Sequence, residues 1–330
     1  MLTKRQNLLE TIHGGNPDRF VNQFEPFAII RNSPYMINNA APVKGGPRVV
    51  NAWGVTLEFP EGTPGAFPVH TEDKIVCKDL EHWRDYVHAP KVHYDESEWT
   101  PFVEQAKAVD RKEQFVTGMV FPGIFEQCHY LLEIQNCLLD FYVEPDALKE
   151  LIDYIANWEL DYAKEICDHY HIDALFHHDD WGTQRSTFMS VDMFREFLLP
   201  AYKAVYGYYK ERGVEVIVHH SDSYAATLVP SMIEMQMDIW QGVMVSNNIP
   251  ELIKQYGGQI SFMGGIDSAS VDHPGWTPEE VAREVERATR ECGKHYFIPC
   301  ASQGGPMSTF PGVYQTLTEE IDRQSKLQFK

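Results

Sequence analysis

His219, His220 and Asp222 follow directly on Val214-Glu215-Val216-Ile217-Val218, a mostly β-branched apolar run that reads as a buried strand. Residues two apart in a strand share a side. If the extended geometry persists past Val218, His220 and Asp222 bring an imidazole nitrogen and a carboxylate oxygen to one point. A zinc ion takes N, O and S donors at about 2.0–2.3 Å, and a third donor has to come from elsewhere. Cys300 is the best candidate, because Tyr296-Phe297-Ile298-Pro299 reads as another short strand with the thiol at its end. Without a metal, the same His/Asp pair would hydrogen-bond to each other and cap the helix that follows.

Other strand ends carry similar chemistry. Ile172 to Phe176 reads as a strand, followed by His177-His178-Asp179-Asp180-Trp181-Gly182. Polar or glycine-rich sequence also follows the strands at Asp238 (Gln241-Gly242), Gln259 (Gly264 to Asp267) and Tyr296 (Cys300 to Gly305). His177 and His219 are expected to pack outward, and Asp179 to face the wall. Asp267 suits a helix cap as well as a supporting place in the site.

The elements that must position these groups alternate. Strands starting near Phe20, Gln114, Ile172, Val214, Asp238, Gln259 and Tyr296 are separated by helical stretches, among them Ile124 to Phe141 with Glu126 and His129, and Pro145 to His169. Alternation of this kind implies parallel pairing with right-handed crossovers. One further strand would close a (β/α)8 barrel, although an open doubly wound sheet gives the same alternation. In a barrel all the polar exits fall on the carboxyl-terminal face, where such enzymes place their sites. An amino-terminal helix opens at an N-cap, Thr3, with Leu8, Leu9 and Ile12 as its apolar stripe. Residues 32–94, rich in Pro, Gly and aromatics around Trp53-Gly54-Val55, read as an irregular lid with a short strand pair. No linker composition divides residues 1–330, so one domain is expected.

Composition sets limits on partners. A formal charge of −20 over 330 residues repels nucleic acid and anionic membranes. There is neither a signal-peptide pattern nor an apolar run of membrane-spanning length, which makes a cytoplasmic protein the expectation. The six cysteines form no CxxC pair and are read as reduced packing residues.

Taken in order, several segments resemble the uroporphyrinogen decarboxylase superfamily. They are Arg5 to Arg19 with its Asn-Pro-Asp-Arg turn, Trp53-Gly54, His178 to Gly182, Met193 to Tyr202 with Pro200, His220-Ser221-Asp222, Met263 to Asp267, and Cys300 to Gly305. The resemblance implies a (β/α)8 TIM barrel. Within the superfamily, decarboxylases of the tetrapyrrole use an arginine-rich amino-terminal segment, whereas Asn22 to Arg31 here holds one arginine and one acid.

The cobamide-dependent methyltransferase branch is the better match. Its zinc-binding His-x-Cys and distant cysteine correspond here to His220, Asp222 and Cys300, with Asp222 in place of a thiolate. Gln241 or Glu25 is then a candidate fourth ligand. A carboxylate in the set leaves zinc a stronger Lewis acid toward oxygen. The resemblance therefore implies O-demethylation of a phenyl methyl ether, with Asp180, His178 and Gln241 as catalytic residues. Gln23, Glu25, Phe27 and Trp181 are the expected substrate contacts. No Asp-x-His-x-x-Gly corrinoid signature is present, so cobalamin is expected on a partner corrinoid protein. Decarboxylation and thiol or folate methyl transfer are the rival activities, and a homodimer stays open.

Overall fold

The computed structural model of the chain describes residues 1–63, 65–306 and 308–329. Its main sheet has seven strands, β1 (Phe27–Ile30), β2 (Phe115–Val120), β3 (Ala174–His178), β4 (Val216–His220), β5 (Ile239–Val243), β6 (Ser261–Ile266) and β7 (Phe297–Ala301), in that order. Every neighbouring pair is parallel. Helices alternate with the strands, and the sheet curls into a TIM-barrel-like half-barrel. The principal helices are α1 (Lys4–Ile12), α2 (Ile124–Leu132), α3 (Pro145–Tyr170), α4 (Leu199–Glu211), α5 (Pro278–Cys292) and α6 (Val313–Gln328).

The barrel-like class holds, and three details differ from the expectation. No eighth strand joins β7 to β1 among the described residues. The first strand is Phe27–Ile30 and not Phe20 to Phe24, because the earlier segment is tied to a helix instead of a strand. Phe20 N donates to Ser325 Oγ at 3.0 Å, and Asn22 Nδ2 donates to Thr318 O and Asp322 Oδ1 at 2.9 Å each, all on α6. The helix expected over Ile124 to Phe141 is also two helices, broken where Glu133 takes a φ of 74°.

Alternation along the strands divides the apolar residues between two cores. Phe27, Phe115, Phe176, Val216, Val218, Ile239, Met263 and Ile298 fill the barrel interior together with Leu8 and Ile12 of α1. Their outward neighbours pack beneath the helices. The start of α1 is held by a capping box in which Thr3 and Gln6 satisfy each other's backbone N–H groups. The helix lies under the barrel, bonded to the loops that precede β2 and β7 through Arg5 N to Glu113 O (2.9 Å) and Tyr296 N to Thr11 O (3.0 Å). It thus plugs the amino-terminal end.

Residues 32–94 contain a helix, Pro34–Asn38, and three antiparallel strands (Val49–Val50, Thr56–Glu58, Phe67–Pro68), one more than the expected pair. Trp53 anchors this excursion, buried edge-on against Trp158 of α3 at 5.1 Å. All six cysteines are unpaired and buried. No helix among the described residues is long and apolar enough to cross a membrane.

Leu8 is fully buried at the barrel bottom. Leu8→Ala should destabilise the fold by about 2–5 kcal/mol, the range for a leucine cavity with partial collapse, as read by urea denaturation.

Candidate metal centre and cavity

The last residues of three adjacent strands build the site. In the parallel register His178 of β3 faces His220 of β4, which faces Gln241 of β5. Because side chains alternate, these three point into the barrel mouth, and His177, His219 and Trp240 point outward. The outward set is locked in place. His177 Nε2 and Glu159 Oε2 on α3 share a hydrogen bond of 3.1 Å, His219 Nδ1 bonds the Tyr206 hydroxyl on α4, and Trp240 Nε1 donates to Ser221 O at 2.9 Å.

Inside the mouth the imidazoles of His178 and His220 stack, 4.3 Å apart and 19° from parallel. Each ring has its Nδ1 engaged, His178 with Glu126 Oε2 at 2.9 Å and His220 with Gln241 Oε1. With an amide oxygen accepting, His220 carries its proton on Nδ1 and leaves the Nε2 lone pair free. Asp180 Oδ1 accepts the backbone N–H of Asp222 at 2.8 Å. One donor atom from each of His178, Asp180 and His220 lies within 4.8 Å of the others. Burial, with His178 alongside, pushes His220 down, and burial with Asp180 alongside pushes Asp222 up to about 6. Glu126, fully desolvated and near Asp180, is pushed well above the usual carboxylate range.

Sequence reasoning did not assign Glu126 to the site. Its signal was a lone acid in the apolar run Ile124 to Leu132. Asp179 delivers it: the Asp179 carboxylate accepts from Phe125 N (2.8 Å), Glu126 N (2.9 Å) and the Tyr202 hydroxyl, which fastens the amino terminus of α2 onto β3. Burial and the adjacent Glu126 push Asp179 up to about 8 against these bonds. The approach requires Gly123, whose added Cβ would sit 2.5 Å from Asp179 Cβ and 2.6 Å from His177 Cε1. Gly242 does the same on the other side. A register shift between Gln241 and Val243 puts Gly242 at φ +86°, where a Cβ would come 3.1 Å from His220 Cε1.

The cluster opens into a cavity of about 760 Å³. Phe24, Phe27, Ile29, Met119 and Phe176 form its apolar floor; Ala66 and Phe67 of the excursion and Gln303 to Gly305 after β7 form its rim. Of the expected site residues, Phe27, His178, Asp180, His220, Asp222 and Gln241 line it. Arg31 is the single lysine or arginine among the lining residues.

Four expected site residues stand elsewhere. Trp181 is fully buried, stacked on His219 at 4.0 Å with Nε1 donating to the Tyr202 hydroxyl at 3.1 Å, so it packs the wall and does not line the cavity. Gln23 is buried and donates to Thr318 Oγ1 at 3.1 Å. Glu25 accepts from Asn22 N at 3.1 Å and lies 3.9 Å from Arg19. Both precede β1, which starts later than expected, so they fall on its amino-terminal side. Cys300 lies within β7 instead of beyond it, which places it in the interior core with Met263 and Ile298. Burial pushes its thiol up to about 12, with the Gln241 amide opposing. His220, Asp222 and Cys300 therefore do not form a group with all donors inside 4.8 Å, although Asp222 Oδ2 is 3.9 Å from His220 Nε2.

His129, on the next turn of α2 after Glu126, is neutral: burial, with His70 nearby, pushes it down to about 4. The unfolded chain protonates it at about 6.5. Its contribution to stability is whole above that value and is lost as pH falls through about 4. Denaturation midpoints should fall across this window, and His129→Gln should flatten that part of the profile.

No curated protein matches the chain. Among solved structures, a methyltransferase from Methanosarcina mazei shares 16% identity at a TM-score of 0.67, with 98% of this chain and 99% of that one covered. A chitinase from Pseudoalteromonas aurantia, at 13% identity over 73% of this chain and 75% of that one, has a TM-score of only 0.29 and carries no argument. The first likeness is one of fold. The family model described as uroporphyrinogen decarboxylase (URO-D) matches residues 48–324, and the chain therefore belongs to the URO-D family.

Proposed function

We propose that this chain is an O-demethylating methyltransferase, which moves the methyl group of a methoxylated aromatic to the cobalt(I) of a corrinoid carried by a separate protein. The observation that carries this reading is the two-ended cavity, with an aromatic and aliphatic floor beneath stacked imidazoles and carboxylates. Membership of the URO-D family and the fold shared with a protein described as a methyltransferase support it.

The faces of Phe24, Phe27 and Phe176 suit a flat ring, with its ether oxygen toward the polar end. As the carbon–oxygen bond breaks, the aryl oxygen keeps the electron pair and the methyl carbon passes to cobalt(I). The chemical difficulty is the charge left on that oxygen. A divalent cation at the polar end of the cavity would supply Lewis-acid stabilisation there. Glu126 and Gln241 hold the two imidazoles in orientation, and the desolvated floor keeps water from the departing group.

Decarboxylation of a tetrapyrrole, the activity in the family's name, asks for several guanidinium groups around its carboxylates. The cavity offers Arg31 alone, and the reading is set aside on that ground.

Incubating the chain with cobalt(I) cobalamin and a methoxyphenol should generate the methylcobalamin spectrum together with the free phenol. Asp180→Asn should slow that reaction by at least about 10–100-fold, the range for a group beside a metal, and Phe176→Ala should raise KM. Release of CO₂ from uroporphyrinogen with no metal or corrinoid added would replace this function with decarboxylation.

A further inference from the structure

We infer that a divalent cation seats between His178, Asp180 and His220, in a thiolate-free set of two imidazole nitrogens and one carboxylate oxygen that excludes Cys300. This takes from the proposed function only that a cation belongs at the polar end of the cavity. It departs from the His220, Asp222 and Cys300 set to which the family resemblance points.

Three independent features of the geometry converge. First, the stacked rings are each held at Nδ1, by Glu126 and Gln241, and neither Nε2 has a hydrogen-bond partner among the described residues. Metal-binding histidines are typically oriented in this way, with the far nitrogen bonded to a carboxylate or carbonyl oxygen and the near one bare. Second, Asp180 is aimed by the backbone N–H of Asp222, so Asp222 acts here through its main chain as a positioning residue. Third, the three donors lie within 4.8 Å of one another and face the cavity. A cation with bonds of about 2.0–2.2 Å needs donors roughly 3–3.5 Å apart with both ring planes meeting at the ion, so binding closes the group by about an ångström and turns at least one imidazole out of the stack.

Cys300 is placed against joining them. Its side chain is fully buried in the interior and lies outside the group of donors within 4.8 Å, and the Gln241 amide that holds His220 is also the polar group beside the sulfur. Ligation by Cys300 would have to displace that amide and free the His220 ring. Two nitrogens and a carboxylate with open positions suit a borderline or hard divalent ion such as zinc, cobalt or manganese, and leave room for an oxygen from the substrate.

The test uses metal alone. Full-length protein stripped with a chelator is titrated with zinc or cobalt(II), and each variant's fold is checked by circular dichroism. One equivalent should bind, and the cobalt(II) form should lack a sulfur-to-cobalt charge-transfer band. Cys300→Ser and Cys300→Ala should bind within about threefold of the parent, while His178→Ala, Asp180→Asn and His220→Ala should lose about 100-fold or more. Asp222→Asn keeps the main-chain donor and should cost less than Asp180→Asn. A charge-transfer band, loss of binding in folded Cys300→Ser, undiminished binding in His178→Ala and Asp180→Asn, or a folded parent that binds no metal would overturn the inference. If metal binds as described but no methylcobalamin forms, the donor set stands and only the methyl-transfer reading falls.

Discussion

Strand parity on β3 and β4 is the constraint on which the rest of this structure depends. Each strand ends in two consecutive histidines, and because successive side chains point to opposite faces, one of each pair enters the barrel and the other enters the helical layer. A slip of one residue in either strand would exchange their roles. The slip is prevented from outside: His177 on Glu159, His219 on Tyr206 and Trp181, and Trp240 on Ser221 O are buried polar contacts that no shifted register could remake. Buried polar groups without partners are costly, so the contacts that satisfy the outer histidines also orient the inner ones.

A second layer of support comes from α2. The Asp179 carboxylate gathers two backbone N–H groups of that helix and the Tyr202 hydroxyl, and the turn that it fastens carries Glu126 to His178. Gly123 leaves no room for a Cβ against Asp179, and at Gly242 a Cβ would be tight against His220 on a backbone of φ +86°. The site is thus built from strand ends but held by their neighbours, which resist being moved because they are buried and bonded on several sides.

Electrostatics give the cavity its direction. Asp180 and Asp222 set carboxylates beside the His178 and His220 rings, while the opposite wall is aromatic and aliphatic and Arg31 is the single lysine or arginine lining the cavity. Such a polar end attracts a cation and would repel a polycarboxylate. In a chain of net charge −20 the local acidity adds to the general one.

Much of this was legible in the amino-acid order. The alternation of apolar runs with helical stretches, the polar exits and the pairing of His220 with Asp222 are local patterns, dictated by side-chain period and turn chemistry. The starting point of β1 was misjudged: Phe20, Val21 and Phe24 suggest a strand, but the bonds from Phe20 and Asn22 to α6 take that segment out of the sheet and leave the wholly apolar Phe27 to Ile30 to pair; Gln23 and Glu25 were misplaced with it. The burial of Cys300 was hidden for a related reason, because the strand runs on through Ala301 and its pairing with β6 fixes the thiol in the interior. Glu126 lies 52 residues from His178, and no local pattern links them. The sequence by itself determined which residue types stand at each strand end and which way they alternate, because these follow from backbone period. Only the tertiary structure decided that His178 and Asp180 join His220 while Cys300 does not, because that depends on strand register and on the packing of α2, which are set by contacts far apart in the chain.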